Sequence, residues 1–113
     1  MLDKTNKLVM LFDFYGELLT PRQREIFKLY YYEDFSLGEI SELEGVSRQA
    51  VMDLLKRGED LLFDYEHKLG IVNTFTHQRK NLQQLKQILE GTVGECERKK
   101  CLELLEEMLR SEA

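Results

Sequence analysis

Proline occurs once in these 113 residues and glycine seven times. Val, Ile and Thr are sparse beside Leu, Glu and Lys. That balance argues against an all-β chain and points to an all-α one. Cysteine and histidine occur twice each. Cys96 and Cys101 are five residues apart in "GECERKKCLELL", which on a helix turns them about 140° from one another, too far to share a face or a metal. His67 and His77 fall at no ligand spacing from either. Two reduced thiols partly buried on a helix are expected, and no metal or cofactor. No apolar stretch approaches the roughly 18 residues of a membrane span. "MLDKTNKLVMLF" has neither the long apolar region nor the cleavage site of a signal peptide, so a cytoplasmic protein is expected. Glycine-rich phosphate loops, a nucleophile with a histidine cue and paired carboxylates in a pocket motif are also missing, which argues against an enzyme.

What is present suffices for one domain, or a small domain with an appendage. Hydrophobic residues make up 42% and charged residues 33%. Residues 3–15 place Leu8, Leu11, Phe12 and Tyr15 on one helical face, and Gly16 closes that helix. In "LLTPRQREIFKLYYYEDF", Thr20 is an N-cap, Pro21 suits the first turn and Gln23 completes a capping box. Ile26, Phe27, Leu29 and Tyr30 form the inner stripe of this second helix.

Ser36 and Glu39 form another capping box, followed by Leu37, Ile40 and Leu43 at intervals of three and by Gly45 for a left-handed turn. Ser47 then caps a long helix running to about Leu69. Val51, Leu54, Leu55, Gly58, Leu61, Leu62, Tyr65 and Leu69 lie on one stripe of about 120°. Gly58 on that stripe marks a place where another helix comes close. After "GIVNT" the spacing nears a heptad, with Phe75, Leu82, Leu85 and Leu89, a break at "GTVG", then Leu102, Leu105 and Leu109. This reads as a helical hairpin. The expected division is 1–70 and 71–113, the hairpin packing on the first part or forming an oligomer interface.

A short helix, a glycine turn and a second helix make a helix-turn-helix, in which the first helix braces the second for entry into the major groove. Ile40, Val46, Val51 and Leu54 are the expected internal contacts, with Ser47, Arg48, Gln49, Met52 and Lys56 facing outward. Arg48 can pair with guanine or phosphate and Gln49 with adenine. Ser47 can bond phosphate. Lys56 and Arg57 extend the basic side, and Arg22, Arg24 and Lys28 on the preceding helix add possible phosphate contacts.

The stretch "LTPRQREIFKLYYYEDFSLGEISELEGVSRQAV" resembles region four of bacterial sigma factors. The likeness covers residues 18–62 and implies a promoter-type helix-turn-helix bundle. With its first helix and terminal hairpin, the whole chain looks closer to the YlxM-like family of small helix-turn-helix regulatory proteins. That resemblance implies a link to the signal recognition particle, beside whose protein such regulators are encoded. Met52 departs from the sigma-like pattern, which often has a polar or basic side chain there.

Charge pulls the other way. Residues 1–70 hold nine Lys or Arg against fourteen Asp or Glu, so this part alone carries the formal −5. Asp53, Asp60 and Asp64 follow the recognition turn. An acidic domain gains little non-specific affinity for phosphates. Met52 and Phe63, eleven residues apart on one flank, either receive a partner helix or are covered by the chain's own hairpin, which needs a surface to pack on. Dimerisation through the hairpin is the middle case, and it would present two recognition helices to adjacent major grooves. Tyr30, Tyr31 and Tyr32 read as one buried tyrosine and two at the rim more readily than as a base-stacking platform. "ERKK" at 97–100 reads as a solvated face. Two functions stand: a DNA-binding regulator, homodimeric, or a non-catalytic adapter that binds protein or structured RNA of the signal recognition particle.

Overall fold

Thr20 starts the second helix by accepting the Gln23 N–H at 3.2 Å, while Gln23 Oε1 accepts the Thr20 N–H at 3.0 Å. Ser36 and Glu39 repeat the arrangement at 3.1 and 3.0 Å. Such boxes satisfy N–H groups that a helix start leaves without an intrahelical partner. The computed structural model describes residues 2–91 and 94–112, with side chains for 4–91 and 94–108. It is all-α. The helices are α1 (Leu2–Tyr15), α2 (Pro21–Tyr31), α3 (Leu37–Glu44), α4 (Arg48–Leu69), α5 (Ile71–Glu90) and α6 (Glu95–Glu112), with a 3₁₀ turn at Gly16–Leu18. The chain divides into two compact units, 1–72 and 73–113.

In the first unit α1, α2 and α3 all pack on α4. One buried cluster joins Leu8, Leu11, Phe12 and Tyr15 of α1 to Leu19, Phe27, Leu62 and Val72. Phe12 and Phe27 stack with centroids 4.4 Å apart. A second cluster, Ile26, Ile40, Val51 and Leu55, joins α2, α3 and α4. Tyr31 packs on both clusters, and its hydroxyl donates to Glu59 Oε2 at 2.9 Å.

The structure corrects several expectations in this unit. Leu43 and Leu69 belong to the apolar stripes but are 61% and 56% exposed, because each lies at the end of its helix, beyond the reach of the packing partner. Gly58 is buried, yet no backbone of another element comes within 4 Å of where its Cβ would stand; the contact there is Leu19 Cδ1, at 3.9 Å. Tyr30 is half-buried rather than buried, as is Tyr31, which bridges the two clusters. The change of pattern read after "GIVNT" comes earlier in the structure: Gly70 alone, a left-handed C-cap with φ 62°, separates the helices, and α5 begins at Ile71.

In the second unit, α5 and α6 follow one another, separated by 91–94, of which 92 and 93 lie outside the described residues. Leu82, Leu85, Leu89 and Leu105 are half-buried, while Ile88, Leu102 and Leu104 are exposed. No described side chain from Asn73 onward is buried. The side chain of Leu109 lies outside the description. Cys96 is exposed and Cys101 half-buried, both as free thiols.

Candidate nucleic-acid interface

The turn between α3 and α4 is locked from both sides. Val46 N–H donates to the Ser41 carbonyl at 3.2 Å, and the Ser41 hydroxyl donates back to the Val46 carbonyl. Gly45, with φ 68° and ψ 33°, supplies the left-handed residue that lets the chain reverse. Val46 and Leu54 are half-buried against Ile40 and Val51, the expected brace between the two helices. α4 then starts at Ser47, whose Oγ accepts the Ala50 N–H at 3.1 Å. Its own hydroxyl proton can still be donated outward.

Ser47, Arg48, Gln49, Met52 and Lys56 are all exposed. Two of them are not simply standing in water. Gln49 Nε2 donates to Asp53 Oδ1 at 3.1 Å, one turn along the helix. The Arg48 guanidinium lies over Gly38, near the start of α3: a Cβ at Gly38 would fall 3.0 Å from Nη2, 3.2 Å from Nε and 3.3 Å from Cζ. Beside it, Glu39 turns its carboxylate to the Ser36 N–H, a hydrogen bond that holds its pKa below the usual glutamate value.

Lys56, Arg57 and the pair Arg24 and Lys28 line different clefts. Gln49, Met52 and Lys56 line a groove of about 290 Å³ with Tyr30, Tyr31, Leu37, Asp53, Leu55 and Glu59. Arg24 and Lys28 line another cleft, beside Phe12, Asp13 and Glu17. Arg57, one residue and thus 100° round the helix from Lys56, lines a third with Asp60 and Asp64. Arg22 is exposed on the first turn of α2. Acidic side chains therefore attend every cleft that holds a sequence-predicted basic residue.

Met52 and Phe63 do not form one apolar strip. Met52 is 49% exposed in the groove, whereas Phe63 is half-buried against the cluster built on Leu8, Leu62 and Val72. The rings of the tyrosine run pack on one another and on the core, Tyr31 4.5 Å from Phe27 and edge-on to Tyr30 at 4.9 Å, and Tyr32 5.8 Å from Phe12. Sequence reasoning missed the groove walls, Tyr30, Leu37 and Glu59, and the seat at Gly38. A glycine within the first turn of a helix was the available signal for the latter. Among the described residues no group of carboxylates, histidines and cysteines could hold a metal, and no helix is long and apolar enough to cross a membrane.

Residues 2–107 match the family model described as "Putative helix-turn-helix protein, YlxM / p13 like". The chain belongs to the UPF0122 family. A UPF0122 protein of Oceanobacillus iheyensis is 57% identical over 76% of this chain and 82% of its own length. Another, from Halalkalibacterium halodurans, is 52% identical over 80% of this chain and 83% of its own. A third, from Caldanaerobacter subterraneus, is 51% identical over 73% of this chain and 70% of its own. The UPF0122 match takes in α1 and most of α6 besides the helix-turn-helix, so it extends well beyond the part that resembles sigma-factor region four.

Proposed function

We propose that this chain is a cytoplasmic, non-catalytic, DNA-binding regulatory protein that sets the first turns of α4 in a major groove and acts as a homodimer. One observation carries the reading. The reciprocal Ser41–Val46 lock around left-handed Gly45 braces α3 against α4 and leaves Ser47, Arg48, Gln49, Met52 and Lys56 exposed. Arg48 supplies the direct contact to guanine or phosphate, Lys56 a phosphate contact, and the Ser47 hydroxyl a phosphate bond at the helix start. Arg22, Arg24 and Arg57 serve only where the duplex bends round to reach them. The exposed Ile88, Leu102 and Leu104 are the residues on which a second copy would pack.

Selection from random duplexes at low salt tests the proposal. Enrichment of one sequence, lost with Arg48→Ala, supports it; no enrichment sinks it. Sedimentation of the purified protein tests the homodimer.

A second reading is favoured by the groove along α4. Tyr30, Tyr31, Leu37 and Met52 give it apolar walls, and Asp53 and Glu59 outweigh Lys56 in charge. Such a surface suits a basic, partly apolar peptide better than a phosphate backbone. The protein would then be an adapter that uses Met52 to bind a partner, with the signal recognition particle suggested by the family resemblance. Recovery of particle protein or its RNA on immobilised protein, with no duplex enriched, favours this reading; their absence counts against it.

A further inference from the structure

Gly38 is a poor residue for the first turn of a helix. It gives up more backbone freedom than alanine would on folding, and it packs no side chain. α3 is only eight residues long and has no surplus of turns to absorb that cost. The bare Cα has one evident consequence: it leaves room for the Arg48 guanidinium, three of whose atoms lie 3.0–3.3 Å from where a Cβ would stand. Contacts that close are rarely tolerated by a real Cβ.

Among the described residues Arg48 has no hydrogen-bond or ion-pair partner. Its location is therefore set by shape rather than by charge. An arginine without a partner samples many rotamers, and ordering it on binding costs entropy. Here one side of the guanidinium is occupied by the α3 backbone and the residue as a whole remains exposed. The five N–H donors of the fork have no internal acceptor to compete with a ligand. Nearby, the Glu39 carboxylate is engaged by the Ser36 N–H instead.

We propose that Gly38 is a positioning residue for nucleic-acid recognition: its missing side chain forms a seat that holds the Arg48 guanidinium aimed outward before a duplex arrives. This deepens the DNA-binding reading and rests on it for its purpose, though the seat itself can be measured without DNA. Alanine at 38 displaces the guanidinium by a few tenths of an ångström. Valine, with two more methyl groups, evicts it.

The test uses the full chain as wild type, Gly38→Ala, Gly38→Val, Arg48→Ala and the Gly38→Val/Arg48→Ala double variant. The first arm is the {¹H}–¹⁵N NOE of the Arg48 Nε–H in free protein, with Arg57 as the exposed reference and the thermal midpoint recorded for each variant. Expected is an Arg48 NOE above that of Arg57 in wild type, lower in Gly38→Ala and equal to Arg57 in Gly38→Val, with the fold retained. Should Gly38→Val fail to fold, Gly38→Ala carries the arm alone. An Arg48 NOE that is no higher than that of Arg57, or that ignores substitution at 38, overturns the proposal.

The second arm is affinity for the duplex enriched by selection. Gly38→Val is expected to match the loss from Arg48→Ala, about ten-fold or more for an arginine contact. The double variant is expected within about two-fold of Arg48→Ala, since residues acting through one contact do not add. Additive losses overturn the positioning role. If no duplex is enriched, the DNA reading falls, while the NOE arm still decides whether the seat exists.

Discussion

Tyr15 Oη donates to Glu66 Oε1 at 2.6 Å and accepts the Ile71 N–H at 3.1 Å, while the Val72 N–H donates to the same Glu66 oxygen at 3.0 Å. One hydroxyl from α1 and one carboxylate from α4 thus satisfy the first two N–H groups of α5. With its start capped in this way, α5 can follow α4 after a single residue, Gly70. Tyr15→Phe removes a donor and an acceptor together at a residue only 2% exposed. A loss of about 1–3 kcal/mol is expected, the cost of leaving buried polar groups without partners. Urea unfolding monitored by circular dichroism measures it; an unchanged midpoint would mean that water replaces the hydroxyl without loss.

Three tyrosines make alkaline stability a readout of the same fold. Burial comes first among the causes that raise the pKa of Tyr15, Tyr31 and Tyr32, followed by hydrogen bonds to Glu66, Glu59 and Asp13. Tyr32 is pushed from 10.0 to about 12. A phenol whose folded pKa exceeds its unfolded value contributes stability that is fully present below the unfolded pKa and is lost as pH rises through the folded one. The protein should therefore hold its stability up to about pH 10, the ordinary tyrosine pKa, and lose it progressively above. Tyr31→Phe should flatten that decline. Unfolding midpoints between pH 9 and 12 check it, and a slope unaltered by the substitution contradicts it.

Much of this unit was legible because its signals are local. Capping at Thr20, Ser36 and Ser47 needs only a side chain and an N–H three residues on. Gly45 needs only its own φ. What stayed hidden depends on partners distant in sequence. Helical period told which face Leu43 and Leu69 occupy but not where the opposing helix stops. It set Lys56 and Arg57 side by side on one helix and Arg24 on another, yet gave no sign that the three line different clefts. The start of α5 was obscured by Val72, Asn73 and Thr74, weak helix formers whose disadvantage the Tyr15–Glu66 cap offsets.

Two glycines should respond oppositely to the same substitution. At Gly45 a Cβ meets nothing within 4 Å, so the only cost of alanine is the left-handed backbone, φ 68°. Gly45→Ala should destabilise by about 1–2 kcal/mol. Gly58 lies within α4, with ordinary room beside Leu19, and Gly58→Ala should stabilise by about 0.5–1 kcal/mol through helix propensity. Thermal unfolding of the two variants side by side decides this. A destabilised Gly58→Ala would mean that the interior there yields less than the 3.9 Å separation indicates.

Asp53 separates the two functional readings most directly. It accepts the Gln49 amide at 3.1 Å and places a negative charge in the midst of the proposed recognition residues. Asp53→Asn keeps an acceptor for Gln49 and removes only the charge, whereas Asp53→Ala also releases the amide. If α4 enters DNA, both variants should bind a selected duplex about two- to five-fold more tightly at low salt, the size of an exposed charge effect. The gain should shrink as salt screens it. Asp53→Ala alone should alter the preferred base at one position, because only there is Gln49 free to turn to adenine. If the groove instead holds a basic peptide, the charge is part of the attraction, and Asp53→Asn should weaken that partner while leaving duplex binding undetectable. Parallel titrations of both variants with duplex and with the captured partner distinguish these outcomes by the sign of the change.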